Sequence, residues 1–140
     1  ASVKDVPLTI LDYAGVEHPQ REYKGRKITP PSGVSMKGFL EGETERPRSD
    51  EQWVAFELFG NSYVIAGDYK ALRVRTGMYG DGKWHLYDIK NDPGETRPLD
   101  EEMPERLERL IATYKQYAKD KGVVPVADDW NPWHSSETEK

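Results

Sequence analysis

The stretch that decides the fold, WHLYDIKNDPGETR, occupies residues 84–97. Its first half predicts a half-buried strand, because Trp84, Leu86 and Ile89 lie on one side of a broken alternation. The NDPG sequence that follows reverses the chain. Proline presets φ at the first central position of a turn, and Gly94 is expected to supply a positive φ at the second.

Three more short strands are predicted before this one. Apolar residues cover both faces of 53–59, residues 63–65 are strand-like, and 69–75 alternate with a period of two. Residues 60–62 are expected to turn between the first two strands, and the glycine-rich segment 77–82 predicts a hairpin connection before the fourth. Four short strands joined by short turns favour an antiparallel meander, since consecutive strands usually lie side by side.

The clearest predicted helix begins at Pro104 and ends at about Lys121. Acidic residues cluster near its start and lysines near its end, as the helix dipole favours, and Gly122 is placed to stop it. The simplest packing lays its apolar stripe across one face of the sheet, which predicts an α+β fold of two layers. The stripe follows helical spacing and consists of Leu107, Leu110, Ile111, Tyr114, Tyr117 and Ala118.

A short helix is predicted at residues 3–14. Asp5 is placed to cap it, Pro7 falls in its first turn, and Gly15 is placed to end it. This helix needs a partner surface, because a helix of about 10 residues is marginal alone. Its apolar residues recur at helical spacing and are Val3, Val6, Ile10 and Tyr13.

The rest of the first fifty residues shows little periodicity. Residues 16–34 are punctuated by proline and glycine and are expected to form loops. Residues 34–40 predict one or two helical turns. The almost wholly polar stretch 41–52 is expected to be a surface connection.

Four motifs occur along the chain in a distinctive order. DVPLTILDYAG lies at 5–15, ELFGN at 57–61, GDYK at 67–70 and LYDIKNDPGET at 86–96. Together they resemble the C-terminal portion of type I sulfatases, above all the arylsulfatases, within the alkaline-phosphatase-like superfamily. The resemblance covers about residues 2–124. The positions that depart from the family pattern are Pro7, Ser62, Ile65 and Tyr69.

The resemblance implies a small four-stranded antiparallel sheet against a C-terminal helix. It also implies three parts: 1–50 as the end of a catalytic-domain helix plus a connecting loop, 51–124 as the C-terminal sulfatase subdomain, and 125–140 as a tail. The N-terminal helix would belong to a catalytic domain outside this chain. In the tail, Trp130 and Trp133 are expected to pack on that parent domain or on a neighbouring subunit of a homo-oligomer.

The composition excludes several classes of protein. A chain of 140 residues is one domain or part of one. Its net charge is −5 and its basic residues are scattered, so no electrostatic footprint for nucleic acid is present. No apolar run approaches the ~20 residues of a membrane span, and no signal peptide is expected. We therefore expect a soluble protein, with the cytoplasm and the periplasm both open.

Type I sulfatases need a nucleophile and a metal, and the sequence carries the motif for neither. The resemblance implies a formylglycine made from the Cys or Ser of a C/S-x-P-S/T-R motif, and a calcium ion held by several Asp with Asn or Gln. This chain has no cysteine, and Ser32 lies in the wrong frame. We assign no catalytic residue and no metal ligand here. Calcium and formylglycine are expected in the missing catalytic part.

Two residues are candidates for the rim of the substrate cleft. The resemblance implies that this portion meets the catalytic part at the cleft, and the loop residue His18 is placed to reach it. Lys70, in the GDYK motif, either lies near an anion or is an ordinary alternating surface residue. In the second case Asp68 is a turn residue.

Other polar residues are interpreted as structural. By strand alternation His85 faces away from Trp84 and Leu86, which predicts a solvated or hydrogen-bonded side chain. No H-x-H or H-x-x-x-H spacing favours a metal site. Three carboxylates near the turn are expected to bond backbone N–H groups or to pair with Arg97, with a weak calcium site as the alternative: Asp88, Asp92 and Glu95.

Two functions from different classes fit these observations. The first is the C-terminal subdomain of an arylsulfatase-like sulfuric ester hydrolase, which completes the fold and the cleft wall and has no turnover alone. The second is a free-standing, non-catalytic binding module that keeps the sulfatase-like sheet and binds a sugar or a protein through its tryptophans. The substrate stays open among aryl, alkyl and carbohydrate sulfates and phosphonate or phosphate esters.

Overall fold

A computed structural model describes residues 1–76, 79–127 and 130. The chain divides into two compact units, which are residues 1–52 and residues 53–140. The three parts expected from the sequence, with boundaries at 50 and 124, remain predictions. No helix among the described residues combines the length and the apolar character that crossing a membrane requires.

The first unit contains two helices and one small hairpin. The elements are α1 (Asp5–Tyr13), β1 (Glu22–Tyr23), β2 (Arg26–Lys27) and α2 (Lys37–Leu40). The hairpin corrects the expectation of loops alone over 16–34. It forms because Lys24 and Gly25 both adopt positive φ, 51° and 75°, which is the combination that a two-residue type I′ turn needs.

The buried carboxylate of Asp5 holds the first unit together. It accepts hydrogen bonds from the backbone N–H of Ser2 at 2.6 Å and of Val34 at 3.0 Å, and it pairs with the guanidinium of Arg48. Helix α1 begins at Asp5 and its N-cap position is Lys4, so Asp5 is the first helical residue and not the predicted cap. Through Arg48, the polar stretch 41–52 is anchored to α1.

The second unit is built on one antiparallel sheet. Its strands are β3 (Trp53–Leu58), β4 (Asn61–Ala66), β5 (Tyr69–Arg73) and β6 (Trp84–Asp88), and they lie in the order β3-β4-β5-β6. The predicted meander is thereby confirmed. The first turn is shorter than expected: Phe59 and Gly60 make it with φ of 54° and 82°, so residues 61 and 62 already belong to β4.

Helix α3 (Pro104–Lys121) has the predicted bounds and ends at Gly122, whose φ is 66°. It packs over a row of residues that are paired across all four strands, one from each. The row is Ala55, Val64, Ala71 and Leu86, and Leu110 of α3 completes this buried core. The structure therefore confirms an α+β fold with the helix against one face of the sheet.

Strand alternation gives the sheet a second face, turned away from α3. The helix side is marked by Ser62, which bonds the Tyr114 hydroxyl, and by Trp84, whose ring lies 5.0 Å from that of Tyr114. The cross-strand rows that alternate with these helix-side rows point to the opposite face of the sheet. We call this side the far face: Val54, Phe56, Leu58, Asn61, Tyr63, Ile65, Lys70, Leu72, His85 and Tyr87.

The turn after β6 differs from the prediction in one torsion. The N–H of Glu95 donates to the carbonyl of Asp92 at 3.1 Å, so the two residues between them are central, as predicted. The positive φ lies at Glu95, at 54°, and not at Gly94. The Asp92 carboxylate accepts the N–H groups of Thr96 and Arg97, at 2.7 and 2.9 Å. These bonds place the positive φ one residue later than predicted, at Glu95.

Candidate functional site

Lys70 lies on β5 and projects onto the far face. Its Nζ donates to a carboxylate oxygen of Glu95 at 2.6 Å and lies 5.3 Å from the centroid of the Tyr63 ring. Both charged side chains are half-buried. A charge-assisted bond in a partly desolvated site is stronger than an exposed pair. Lys70 therefore holds the turn after β6 against the sheet, and its role at a cleft rim remains a prediction.

His85 lies between two carboxylates at the end of the far face. Its Nδ1 is 2.7 Å from Asp100 Oδ2, and its Nε2 is 3.1 Å from both carboxylate oxygens of Asp81. Both ring nitrogens can donate only in the imidazolium form. The structure confirms that His85 is hydrogen-bonded and faces away from the helix side of the sheet.

Asp100 was not singled out by any sequence pattern. Its second oxygen accepts the backbone N–H of Leu86 at 2.7 Å, and the adjacent Leu99 N–H donates to the Leu86 carbonyl at 2.8 Å. The segment before α3 therefore runs along the outer edge of β6 and closes it. The sequence signal is weak, because His85 and Asp100 are 15 positions apart.

The hydrogen bonds and charges around His85 shift the pKa values of this histidine and of its neighbours. Burial acts to lower the pKa of His85, but the hydrogen bonds and charges of Asp100 and Asp81 outweigh it and raise the pKa above the ordinary value. The pKa of Asp81 is lowered, first by the hydrogen bond from the Lys83 N–H and then by His85. Burial, followed by the charge of Asp100, raises the pKa of Tyr87.

Two of the three carboxylates around the turn, Asp88 and Asp92, bond backbone N–H groups as expected, whereas Glu95 pairs with Lys70 and with neither of its expected partners. Asp88 accepts the N–H groups of Lys90 and Asn91 at 3.1 and 3.0 Å, and the Asn91 side chain at 2.8 Å. These bonds, led by that of the Asn91 side chain, lower the pKa of Asp88. The guanidinium of Arg97 pairs instead with Glu102.

The second candidate from the sequence, His18, belongs to the first unit, whereas Lys70 belongs to the second. The half-buried His18 ring accepts the N–H of Gln20 through Nδ1 at 3.0 Å. This bond fixes the loop conformation ahead of β1. A place for His18 at the cleft rim remains a prediction. Trp133, named with Trp130 for the tail, lies outside the described residues.

The residues of this chain do not fit the cofactors that the sequence resemblance implies. Among residues 1–76, 79–127 and 130, no three His, Asp or Glu side chains are grouped so as to hold a metal ion. The sequence offers no cysteine and no Ser-x-Pro-Ser/Thr-Arg for formylglycine. The ionic groups around Lys70 and His85 instead tie three segments to the sheet: the hairpin before β6, the turn after it and the segment before α3.

Comparison with known proteins identifies a sulfatase as a relative by sequence. No protein-family model matches the chain. An uncharacterized sulfatase of Schizosaccharomyces pombe is 34% identical over 131 residues, which are 92% of this chain and 23% of that protein. The chain thus spans about a quarter of the length of this relative.

Solved structures share the fold at lower identity. Ps i-CgsB in complex with k-i-k-neocarrahexaose matches 83% of this chain and 24% of its own, with a TM-score of 0.59 and 21% identity. A 2-O GAG sulfatase matches 85% of this chain and 25% of its own, with a TM-score of 0.55 and 22% identity. At such identities the likeness concerns the fold alone, and again only about a quarter of each protein is matched.

Proposed function

We propose that this chain is a subdomain that completes an arylsulfatase-like sulfuric ester hydrolase. The chain is homologous to sulfatases and corresponds to a C-terminal portion of them. It supplies scaffold and part of the cleft wall. The nucleophile and the calcium ligands belong to the catalytic part. The 34% identity to a protein about four times longer supports this assignment.

The observation that carries the proposal is the orientation of α1. The helix buries Asp5 and Thr9, which are 0% and 6% exposed, and leaves Ile10 62% exposed. The Thr9 hydroxyl donates to the Asp5 carbonyl and accepts the N–H of Met36, so the polar side faces inward. The exposed apolar residues on or flanking α1 are Val3, Val6, Ile10, Tyr13 and Val16. Exposed apolar patches of this kind mark interaction sites, and the catalytic part is the partner we propose.

The chain's own contribution to catalysis is positional. The Lys70–Glu95 bond and the His85 carboxylate pair fix the loops at the ends of β6. A fixed cleft wall orients a substrate and excludes water, and small displacements of such a wall reduce the rate of a distant reaction. Every bond-breaking step is assigned to the catalytic part.

The substrate classes to assay follow from the sequence resemblance first and from the structural neighbours second. The sequence resemblance to arylsulfatases makes aryl sulfate esters the first class to assay. One structural neighbour is a complex with k-i-k-neocarrahexaose and another is a 2-O GAG sulfatase, so sulfated carbohydrates are the second class.

The test is a turnover assay of the purified chain with p-nitrophenyl sulfate, with and without added calcium. We expect no release of p-nitrophenol above a buffer control. Calcium-dependent turnover by these 140 residues would refute the proposal. In parallel, the intact mass of the natural gene product distinguishes the two hypotheses. A product several times the 16.0 kDa of this chain supports a subdomain, and a product of this size supports the free-standing module.

A further inference from the structure

The large apolar side chains that the second unit exposes concentrate at one edge of its sheet. Five of the seven among its described residues lie on β3 or at its tip: Trp53, Phe56, Leu58, Phe59 and Trp130. Trp130 belongs to this group because its ring centroid is 6.0 Å from that of Phe59. The other two are Tyr79 and Val124.

The two outer strands of the sheet differ in how their edges are treated. The outer edge of β6 is closed, because Leu99 and Asp100 bond both backbone groups of Leu86. Among the strands of the described residues, β3 pairs with β4 alone. Within the described residues of the second unit, no further backbone hydrogen bond is made by β3. Among these residues the outer row of N–H and C=O groups of β3 thus has no backbone partner, and we take it as the pairing edge.

The edge of β3 has no proline, lysine or bulge, and its one charged side chain, Glu57 on the helix side of the sheet, is bonded at the tip of the strand. Exposed edges are normally protected by proline, lysine, a bulge or an inward-pointing charge. The sequence WVAFEL contains one charged residue, Glu57, and its carboxylate accepts the N–H of Gly60 at 2.7 Å. Six regularly paired residues with apolar side chains on both faces form an open template for another strand.

We propose that β3 pairs antiparallel with β3 of a second copy of this chain, which joins the two sheets into one of eight strands. In such a self-pairing, two directly opposed residues must both have odd numbers or both have even numbers. The reason is that the backbone N–H and C=O groups of successive residues point alternately to the two edges of the strand. The register centred on Phe56 sets Val54 against Leu58 and Ala55 against Glu57.

Charge and packing favour this occupant and this register. With Phe56 at the two-fold axis, the single acidic side chain faces alanine and never its own copy, so no like charges are opposed. Phe56 already stacks on Tyr63 at 5.7 Å, and the register continues that aromatic row across the axis. A two-fold contact of this kind is self-complementary by construction. The proposal is independent of the proposed function, since it uses only the edge of the sheet.

The first test measures the mass of the particle in solution by light scattering over a range of protein concentrations. We expect the wild-type chain to approach twice 16.0 kDa as the concentration rises. Phe56→Lys opposes two charges at the axis, and Leu58→Lys sets a charge against valine. We expect each to weaken the dimer at least about tenfold.

Two matched controls add the same charge elsewhere. Val124→Lys lies beyond α3, and Ile10→Lys lies on the exposed face of α1. Both are expected to leave the dimer unchanged, while circular dichroism verifies that all four variants are folded. A chain that stays monomeric at every concentration would overturn the proposal. That result is also expected if a strand of the catalytic part, and not a second copy, pairs with β3. Loss of the dimer in Ile10→Lys alone would overturn it as well.

The second test fixes the register, using the absence of native cysteine. The register places the two copies of residue 56 directly opposite, with Cα atoms about 5 Å apart, within the range of a disulfide. The two copies of residue 57 are offset by two positions, which puts their Cα atoms about 8 Å apart, beyond that range. We expect air oxidation to cross-link Phe56→Cys and to leave Glu57→Cys monomeric on a non-reducing gel. The reverse pattern contradicts the register.

Discussion

The imidazole of His85 and the carboxylate of Asp100 are joined by a 2.7 Å hydrogen bond between β6 and the segment that leads into α3. The same carboxylate accepts the N–H of Leu86, so one aspartate holds both the side chain and the backbone of the strand. Asp81 holds the opposite nitrogen of the ring. The full set of bonds to the ring therefore depends on a proton, because only the charged ring donates from both nitrogens at once.

The contribution of His85 to the stability of the second unit should fall as the pH rises above the ordinary histidine pKa of 6.5. The pKa of His85 is raised in the folded chain, so the protonated ring stabilises the fold below the ordinary pKa of 6.5. This contribution is lost as the pH rises through the higher folded value. Urea unfolding at pH 5.5, 7 and 8.5 measures it. His85→Gln, which cannot titrate, should lack this component, and an equal pH dependence in the variant contradicts the assignment.

Asp100→Ala should destabilise the second unit by about 1–3 kcal/mol, because it leaves the Leu86 N–H and the His85 ring without their acceptor. Glu101→Ala changes the exposed neighbouring carboxylate and is expected to stay within about 0.5 kcal/mol of wild type. Urea midpoints with unchanged slopes compare the two. Equal effects in both variants argue against the edge closure.

Asp5→Ala should unfold the first unit more readily than any change on the exposed face of α1. The guanidinium of Arg48 would lose its buried partner, which costs about 3–5 kcal/mol. Ile10→Lys should cost no more than about 0.5 kcal/mol in the isolated chain, since Ile10 is exposed. Hydrogen exchange of the α1 amides reports on this unit alone. In a full-length sulfatase, the same Ile10→Lys change should reduce activity if this face contacts the catalytic part.

Leu110→Ala should cost about 2–5 kcal/mol by opening a cavity between α3 and the sheet. Leu110 is buried over the row that contains Val64 and Leu86. Val124→Ala removes apolar atoms from an exposed position and should be nearly neutral. Thermal melts followed by circular dichroism compare the pair. A small effect of Leu110→Ala would mean that the helix does not rest on this row.

The sequence predicted an element correctly wherever the residues that specify it lie within one short segment. The bounds of α3 and its stop at Gly122 followed from a long apolar stripe, charged ends and a glycine free to adopt positive φ. The order of the four strands followed from their short connections. The sulfatase resemblance of the motifs is confirmed by the 34% identity to a sulfatase.

Two local turns and one contact between distant segments were not predictable in this way. The β1–β2 hairpin was missed because its turn uses Lys24 and Gly25, a pair without a strong turn signature. The positive φ expected at Gly94 lies at Glu95, since Asp92 binds the N–H groups beyond the turn. Asp5 was read as a cap, whereas its carboxylate binds Arg48, 43 positions away.

The sequence by itself determined the helices α1 and α3, the presence and order of the four strands of the larger sheet, and which protein family the chain resembles. The helices and strands arise from periodicity and turn chemistry within about ten residues, whereas the resemblance rests on the four short motifs. Only the tertiary structure decided that α1 turns its apolar side outward, that Asp100 closes β6 and that, within the part of the chain the structure describes, β3 pairs on one side only. Such features depend on which groups meet across the fold, and burial and hydrogen bonding between distant residues leave no fixed spacing in the sequence.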